Sequence, residues 1–461
     1  MKFSFITYLI GLVTISAVIS TIGTGCAQIG MPTGGTKDTI PPTLVSANPT
    51  NKAINFTGNK ITLTFNEYVE VQEAQANVLV SPLPKKNPEI NYKLKTVTVK
   101  LKDTLQPNTT YSINFGNAIK DINEGNPLSN FTYVFSTGAT IDSLTLMGKV
   151  ILAETGKTDS TFIAMLYRNA NDSSVQKTKP DYIAKLNGNG SFTFVNLPAG
   201  NFKLYALKDG DGGKTYNSKI EPFAFLNTDI STEAVNDTIL LNAFVQEKED
   251  KKTATPTKSA DKKLRYTLPQ DATQDLLTPY IIQFNKPLKK AELNKLLLLD
   301  TNYKAITTAT FSLDSTSKVL SIINKWKEAE QYKFILNKDD FADSANVSLA
   351  KTDTIKITAK KESDYGNVVL RFKNIDVAKN QVLQFVVGDE IKQSFAITAA
   401  EWSNKLFTPG EYELRILYDI NKNGKWDTGN YNKKQQPEKV ITLPQKLSIK
   451  ANWDNERDIE L

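Results

Sequence analysis

Apolar residues recur at every second position along most of the chain. Ile61, Leu63 and Phe65 alternate with polar neighbours; so do Val97, Val99 and Leu101, then Tyr111, Ile113 and Phe115, then Phe131, Tyr133 and Phe135. Successive side chains of an extended strand point to opposite faces, so this period predicts strands with one buried face. Asn, Pro and Gly between the runs supply the turns. Strands at this spacing predict a β-sandwich over 43–138. A second series opens near Gly148. Val150 and Leu152 alternate, then Tyr182, Ala184 and Leu186, then Phe192 and Phe194, then Phe202, Leu204 and Ala206. It predicts a smaller sandwich over 141–245. Only AELNKLLLL, from Ala291, has a helical look, and it is short.

The pattern stops at 246–263. QEKEDKKTATPTKSADKK carries no apolar side chain larger than alanine apart from proline. Such a segment cannot bury enough surface to fold, so it reads as a linker between two independently folded halves. The halves repeat each other. ITLTFNEYVEV and NTTYSINF before the linker match YIIQFNKPLKK and EQYKFIL after it, pairing Phe65-Asn66 with Phe284-Asn285 and Tyr111 with Tyr332. LPAGNFKLYALKDGDGGKTYN likewise matches FTPGEYELRILYDINKNGKWD. The fold class expected is all-β: tandem β-sandwiches in the order A-B-linker-A′-B′, with A′ over 264–360 and B′ over 363–461.

The N-terminus departs from this pattern. Met1-Lys2 precedes an uncharged apolar run, Phe3 to Ile22, which ends in Gly23-Thr24-Gly25-Cys26. A positive start, an apolar core and small residues before a cysteine predict a lipoprotein signal peptide over 1–25. Cys26 is then the lipidation site, and 26–42 is a Gly/Pro/Thr-rich stalk. Gly23 stands where such signals usually carry Leu or Val. Plain secretion with a free Cys26, and a retained membrane anchor, are the alternatives. Stable anchoring requires more than one acyl chain.

Composition removes whole classes of chemistry. The chain has 461 residues, no histidine, and Cys26 as its one cysteine. That excludes Ser-His-Asp and Cys-His catalysis, His-ligated zinc, and disulfides. Carboxylate-only and Ser-Lys chemistry survive without a motif to support them, and phosphate-binding glycine patterns are absent. The net charge of +7 is spread out, with no basic aromatic stripe, so nucleic acid is not an expected partner. The chain reads as no enzyme.

IPPTLVSANPTNKAINFTGNKITLTFNEYVEV through NFTYVFSTG resembles the bacterial Ig-like domain named after the S-layer protein SbsA. With the CAQIGMPTGGTKDTIPP start, residues 26–138 are similar to Ig-like-domain lipoproteins of the Bacteroidota. B more weakly resembles prealbumin-like or carboxypeptidase-regulatory-like sandwiches, and B′, as its repeat, is expected to be prealbumin-like too. The resemblance implies a non-enzymatic envelope lipoprotein held to the outer membrane by lipid on Cys26, with an envelope protein or glycan as partner. It carries over no catalytic residue. Ala27 to Gly30 lack the acidic run that in this group often directs surface export, which favours the periplasmic face.

One local motif carries chemistry of its own. In DINKNGKWDTGN, Asp419, Asn421, Asn423 and Asp427 occupy positions 1, 3, 5 and 9 of a calcium-type loop. Gly424 is at position 6, and the carbonyl of Lys425 is at position 7. Asn430 replaces the closing glutamate, so any calcium would be weakly held. A hairpin turn built on Asn and Gly explains the same residues. The counterpart from Asp209 to Asn217 puts Lys214 at the glycine position and reads as a turn. Asp-(Ser/Thr) pairs at 38, 103, 142, 159, 237, 314, 343 and 353 resemble Bacteroidota O-glycosylation acceptors, and they are also ordinary turn residues. Trp326, Trp402, Trp426 and Trp453 could stack on sugars, though core positions are commoner for tryptophan. Two readings of function result: an Ig-like spacer or interaction module, and a calcium-assisted adhesin for carbohydrate or protein.

Overall fold

The computed structural model describes residues 8, 10–14, 36–234, 238–247, 263–270 and 273–461. Cys26, most of the signal and stalk, and 248–262 of the linker lie outside the described residues. The chain forms two compact units, Met1–Ile141 and Asp142–Leu461.

In the first unit, alternation places one row of each strand in a single core. Four antiparallel strands lie in the spatial order Leu44–Asn48, Lys60–Phe65, Thr96–Lys100, Glu89–Lys93. A second sheet holds Leu79–Ser81, Thr110–Asn114 and Thr132–Ser136. Val69–Val71 pairs with Ile119–Asp121 beside them. Ile61, Leu63, Phe65, Val97 and Val99 from one layer meet Ile113, Phe115, Tyr133 and Phe135 from the other. Each of these is buried, and of the alternating residues read in sandwich A only Phe131 is partly exposed.

A′ repeats A strand for strand. Its four-stranded sheet runs Tyr266–Thr267, Tyr280–Phe284, Val319–Ile323, Thr310–Leu313. Its second layer runs Leu298–Leu299, Gln331–Leu336, Asp353–Thr358, with Leu288–Ala291 pairing Phe341–Asp343. The paired residues do equal work. Asn66 Oδ1 accepts from Thr43 N at 2.7 Å, and Asn285 Oδ1 accepts from Arg265 N at 2.8 Å. Tyr111 Oη accepts from Gln106 N at 2.8 Å, and Tyr332 Oη from Lys327 N at 3.0 Å. AELNKLLLL makes one 3-10 turn, Leu293–Lys295, and no α-helix. Leu296, Leu298 and Leu299 are buried, and Leu298–Leu299 pairs with Gln331–Leu336, so strand pairing overrides local propensity.

B and B′ share a different plan. In B, Leu144–Leu152 pairs antiparallel with Ser191–Leu197 and parallel with Ile239–Ala243. In B′, Gly366–Lys373 pairs the same way with Glu401–Phe407 and Asp454–Glu460. The covering sheets run Tyr182–Lys185, Ile163–Arg168, Asn201–Leu207, Phe223–Phe225 and, in B′, Glu390–Ala396, Gln381–Val387, Gly410–Tyr418, Lys439–Thr442. Each sandwich has its own core.

These covering sheets are also apolar on their outer faces. Ala164 and Leu166 point into the core of B, whereas Met165, Tyr167, Tyr205 and Leu207 point away from it, and all are buried. A sheet with two apolar faces must be covered twice. B′ supplies part of the second cover. Tyr431 sits within 5.1–5.9 Å of the rings of Phe225, Phe223 and Tyr205. Its hydroxyl meets Tyr205 Oη at 3.0 Å and donates to Asp172 O at 2.6 Å. Lys434 adds an ion pair to Asp172 at 2.9 Å, and Lys157 of B pairs with Glu413 of B′ at 3.0 Å. Independent halves on either side of 246–263 were expected. The structure differs: B and B′ share a buried aromatic cluster across that segment.

Candidate functional site

The strand Gly410–Tyr418 ends where Asp419 begins a tight loop. Asp419 is buried, and its carboxylate accepts from Asn423 N at 3.2 Å and Gly424 N at 2.7 Å. Those two amides can face one carboxylate because Lys422 and Gly424 adopt positive φ, 63° and 74°. Asn421 Oδ1 accepts from Asn423 N at 3.1 Å, and Asn423 Oδ1 from Lys425 N at 2.7 Å. Both asparagine amides then donate to Asp427 Oδ2, at 2.6 and 2.7 Å. All five residues singled out in the sequence thus meet in one loop.

A sixth residue was missed. Glu438 is buried, its Oε1 accepts from Ile420 N at 2.6 Å, and its Oε2 accepts from Asp427 N at 3.0 Å. It straddles the loop as a closing clamp, a place where the twelve-residue pattern has Asn430. Glu438 lies outside that pattern, just before the strand Lys439–Thr442, so no spacing rule points to it. Trp426 seals the far side, donating Nε1–H to Glu438 O at 2.8 Å. Chemically the loop gathers an oxygen-only donor set of the kind hard cations take. In this conformation Asp419 and Glu438 spend their oxygens on backbone amides, and Asp427 Oδ2 holds two side-chain amides.

The counterpart loop in B also gathers three carboxylates. Carboxylate oxygens of Asp209, Asp211 and Glu221 lie within 4.8 Å of one another. Asp211 accepts from Gly213 N at 2.7 Å and Asn217 Nδ2 at 2.8 Å, which holds its pKa low. Burial, with Asp211 beside it, pushes the Glu221 carboxyl up. Asp209 Oδ1 is buried with no hydrogen-bond partner among the described residues. Glu221 joins from beyond the span read in the sequence.

Four of the Asp-(Ser/Thr) pairs close turns. Asp38, Asp159, Asp314 and Asp343 each accept from a backbone amide further along, to Ile40, Thr161, Val319 and Val347, all at 2.9 Å. Asp237 lies outside the described residues; at the other seven sites the hydroxyl residue is exposed. Trp326 is core, donating to Thr278 O at 3.0 Å, whereas Trp453 is 63% exposed under Lys450.

Residues 38–137 match the bacterial Ig-like domain family. No curated protein matches the chain. Among solved structures, the chain is similar to the Bacillus anthracis TIE protein at 11% identity, covering 93% of this chain and 76% of that one, with a TM-score of 0.17. It is similar to BcpA, the major pilin subunit of Bacillus cereus, at 11% identity, covering 69% and 99%, with a TM-score of 0.16. The N-terminal part of the bacterial S-layer protein SbsC matches at 17% identity, covering 36% and 40%, with a TM-score of 0.17. Nothing about what this chain binds follows from likenesses at that level. Among the described residues, no helix is long and apolar enough to cross a membrane.

Proposed function

We propose that this protein is a non-enzymatic, lipid-anchored module of the bacterial cell envelope, holding an interaction surface away from the membrane. The observation that carries the reading is the duplicated sandwich build behind an Ig-like first domain. The 419–427 cluster is engaged in closing its turn, and the chain has no histidine to act as a general base near neutral pH. Cys26 is the anchor, 26–42 the stalk, and the outer membrane the host surface, with the body on its periplasmic face. The test is labelling with a fatty-acid analogue in a host with lipoprotein processing, followed by membrane fractionation. Wild type takes up label and Cys26→Ser does not; equal labelling of both removes the anchor.

The second reading is a calcium-assisted adhesin, favoured by the convergence of Asp419, Asn421, Asn423, Asp427 and the Lys425 carbonyl in one loop. Bound calcium would recruit the asparagine oxygens and Asp427 in place of their mutual hydrogen bonds. Two carboxylates without a bidentate glutamate correspond to an affinity on the order of 10⁻⁴–10⁻³ M. Calcium well above that range raises the melting temperature of wild type and not of Asp427→Ala. An unchanged wild-type melting temperature leaves the loop a turn.

A further inference from the structure

Where B meets B′, the two sandwiches leave an open cleft of about 590 Å³. Its walls are fixed on both sides of the seam. Thr428 of B′ donates to Val245 O of B at 2.6 Å. Thr442 donates to Thr155 O, and Gly156 lies so close to the B′ backbone that a Cβ there would sit 2.9 Å from Val440 O. Glu154 and Gln246 line the cleft from B, and Gln384, Ile391, Ser394 and Trp426 from B′.

Gln384 is the anomaly. It lies mid-strand in Gln381–Val387 and is only 2% exposed. Buried amides are almost always hydrogen-bonded, because leaving water unpaired is unfavourable. Gln274, also buried, in A′, obeys: its amide donates to Asp275 O at 2.8 Å and Thr278 O at 2.6 Å. No side chain or backbone group of the described residues bonds the Gln384 carboxamide; unlike Gln381 Oε1 in the same strand it is not sealed from solvent, and the cleft it lines is where it meets water or a ligand. An alanine or valine there would match its apolar strand neighbours Val382 and Val386 at no such penalty.

We propose that this cleft is a binding site for a neutral saccharide unit. Carboxamides present a donor and an acceptor side by side, which is the pair that vicinal hydroxyls require. Gln384 at the floor and Gln246 and Ser394 on the walls offer such groups, and Trp426 offers an apolar wall for the C–H face of a sugar ring. Glu154 and Asp427 outnumber Lys425 among the charged residues that line the cleft, which disfavours an anionic ligand. The site deepens the carbohydrate-binding reading above, and it stands without calcium because its hydrogen-bonding groups, Gln384, Gln246 and Ser394, lie outside the 419–427 loop, which adds the Trp426 wall and the Asp427 charge.

The experiment titrates the full chain with cello-, chito-, malto- and mannotetraose up to about 10 mM, by calorimetry and tryptophan fluorescence, in chelator. At least one oligosaccharide binds, and Gln384→Leu weakens it about tenfold or more, since one member of the hydrogen-bonding floor is gone. Ile391 is 45% exposed, so Ile391→Arg fills the cleft from its rim without disturbing a core. It abolishes binding at an unchanged melting temperature, and it decides the matter if Gln384→Leu fails to fold. No binding by any oligosaccharide overturns the proposal, as does an unchanged affinity in Ile391→Arg. An extended peptide that binds where none of the sugars does also overturns it. Persistence in chelator separates this outcome from failure of the calcium reading, and Cys26 labelling separates it from failure of the anchor.

Discussion

Cys26 is the one cysteine, so no disulfide within the chain supports the fold; hydrophobic cores hold it, and side chains that close turns add to them. Asp159 is the sharpest example. Burial pushes its carboxyl up, but hydrogen bonds from Thr161 and the Lys208 ammonium at 2.9 Å outweigh that and hold it at about 2. A carboxylate whose folded pKa is depressed adds stability above its ordinary value near 3.8, and that stability is lost as pH falls from there through about 2. Asp159→Asn should therefore destabilise B by about 1–2 kcal/mol at neutral pH and by almost nothing near pH 2. Urea midpoints of both proteins across that range check it; a gap that stays constant with pH contradicts it. Asn66 and Asn285 make a second test. Removing one acceptor should speed hydrogen exchange at its own partner amide about tenfold. Asn66→Ala should expose the Thr43 amide alone and Asn285→Ala the Arg265 amide alone. Loss of protection at both amides from either change would deny the repeat its local clamps.

At the scale of elements, alternation was legible wherever one face of a strand is wet. Ile61, Leu63 and Phe65, or Val97 and Val99, declare their inward face because their neighbours are polar. It was less legible in LYAL and AMLY, where both faces are apolar and alternation marks only one of them. Reading Leu204 and Ala206 as the buried row left Tyr205 and Leu207 unassigned, and those residues form the B–B′ junction. Glu438 and Glu221 were illegible for another reason: each joins its loop from beyond the expected span, and proximity made by folding has no spacing in sequence. Tyr431 tests the junction directly. Tyr431→Ala removes a buried ring from an aromatic cluster and should destabilise the B–B′ pair by about 3–5 kcal/mol. Tyr431→Phe keeps the ring and loses the bonds to Tyr205 and Asp172, a smaller loss of about 1–3 kcal/mol. Chemical denaturation ranks them; an alanine variant no worse than the phenylalanine variant would mean the ring is not packed as described.

For the whole molecule, the repeat and its linker suggested two independently folded halves. The fold instead closes B on B′, so that A′ is carried between two sandwiches locked to each other while A forms its own unit. That closure creates the seam and the cleft that holds Gln384, and neither half has that cleft alone. The direct test is to place a specific protease site within 248–262, cut the folded protein there, and measure the particle mass in dilute solution by light scattering. The expected result is one particle of undiminished mass, its two pieces held by the Tyr431 cluster and the Asp172–Lys434 and Lys157–Glu413 pairs, separating only in denaturant. Two particles, each with the mass of one half, would contradict it.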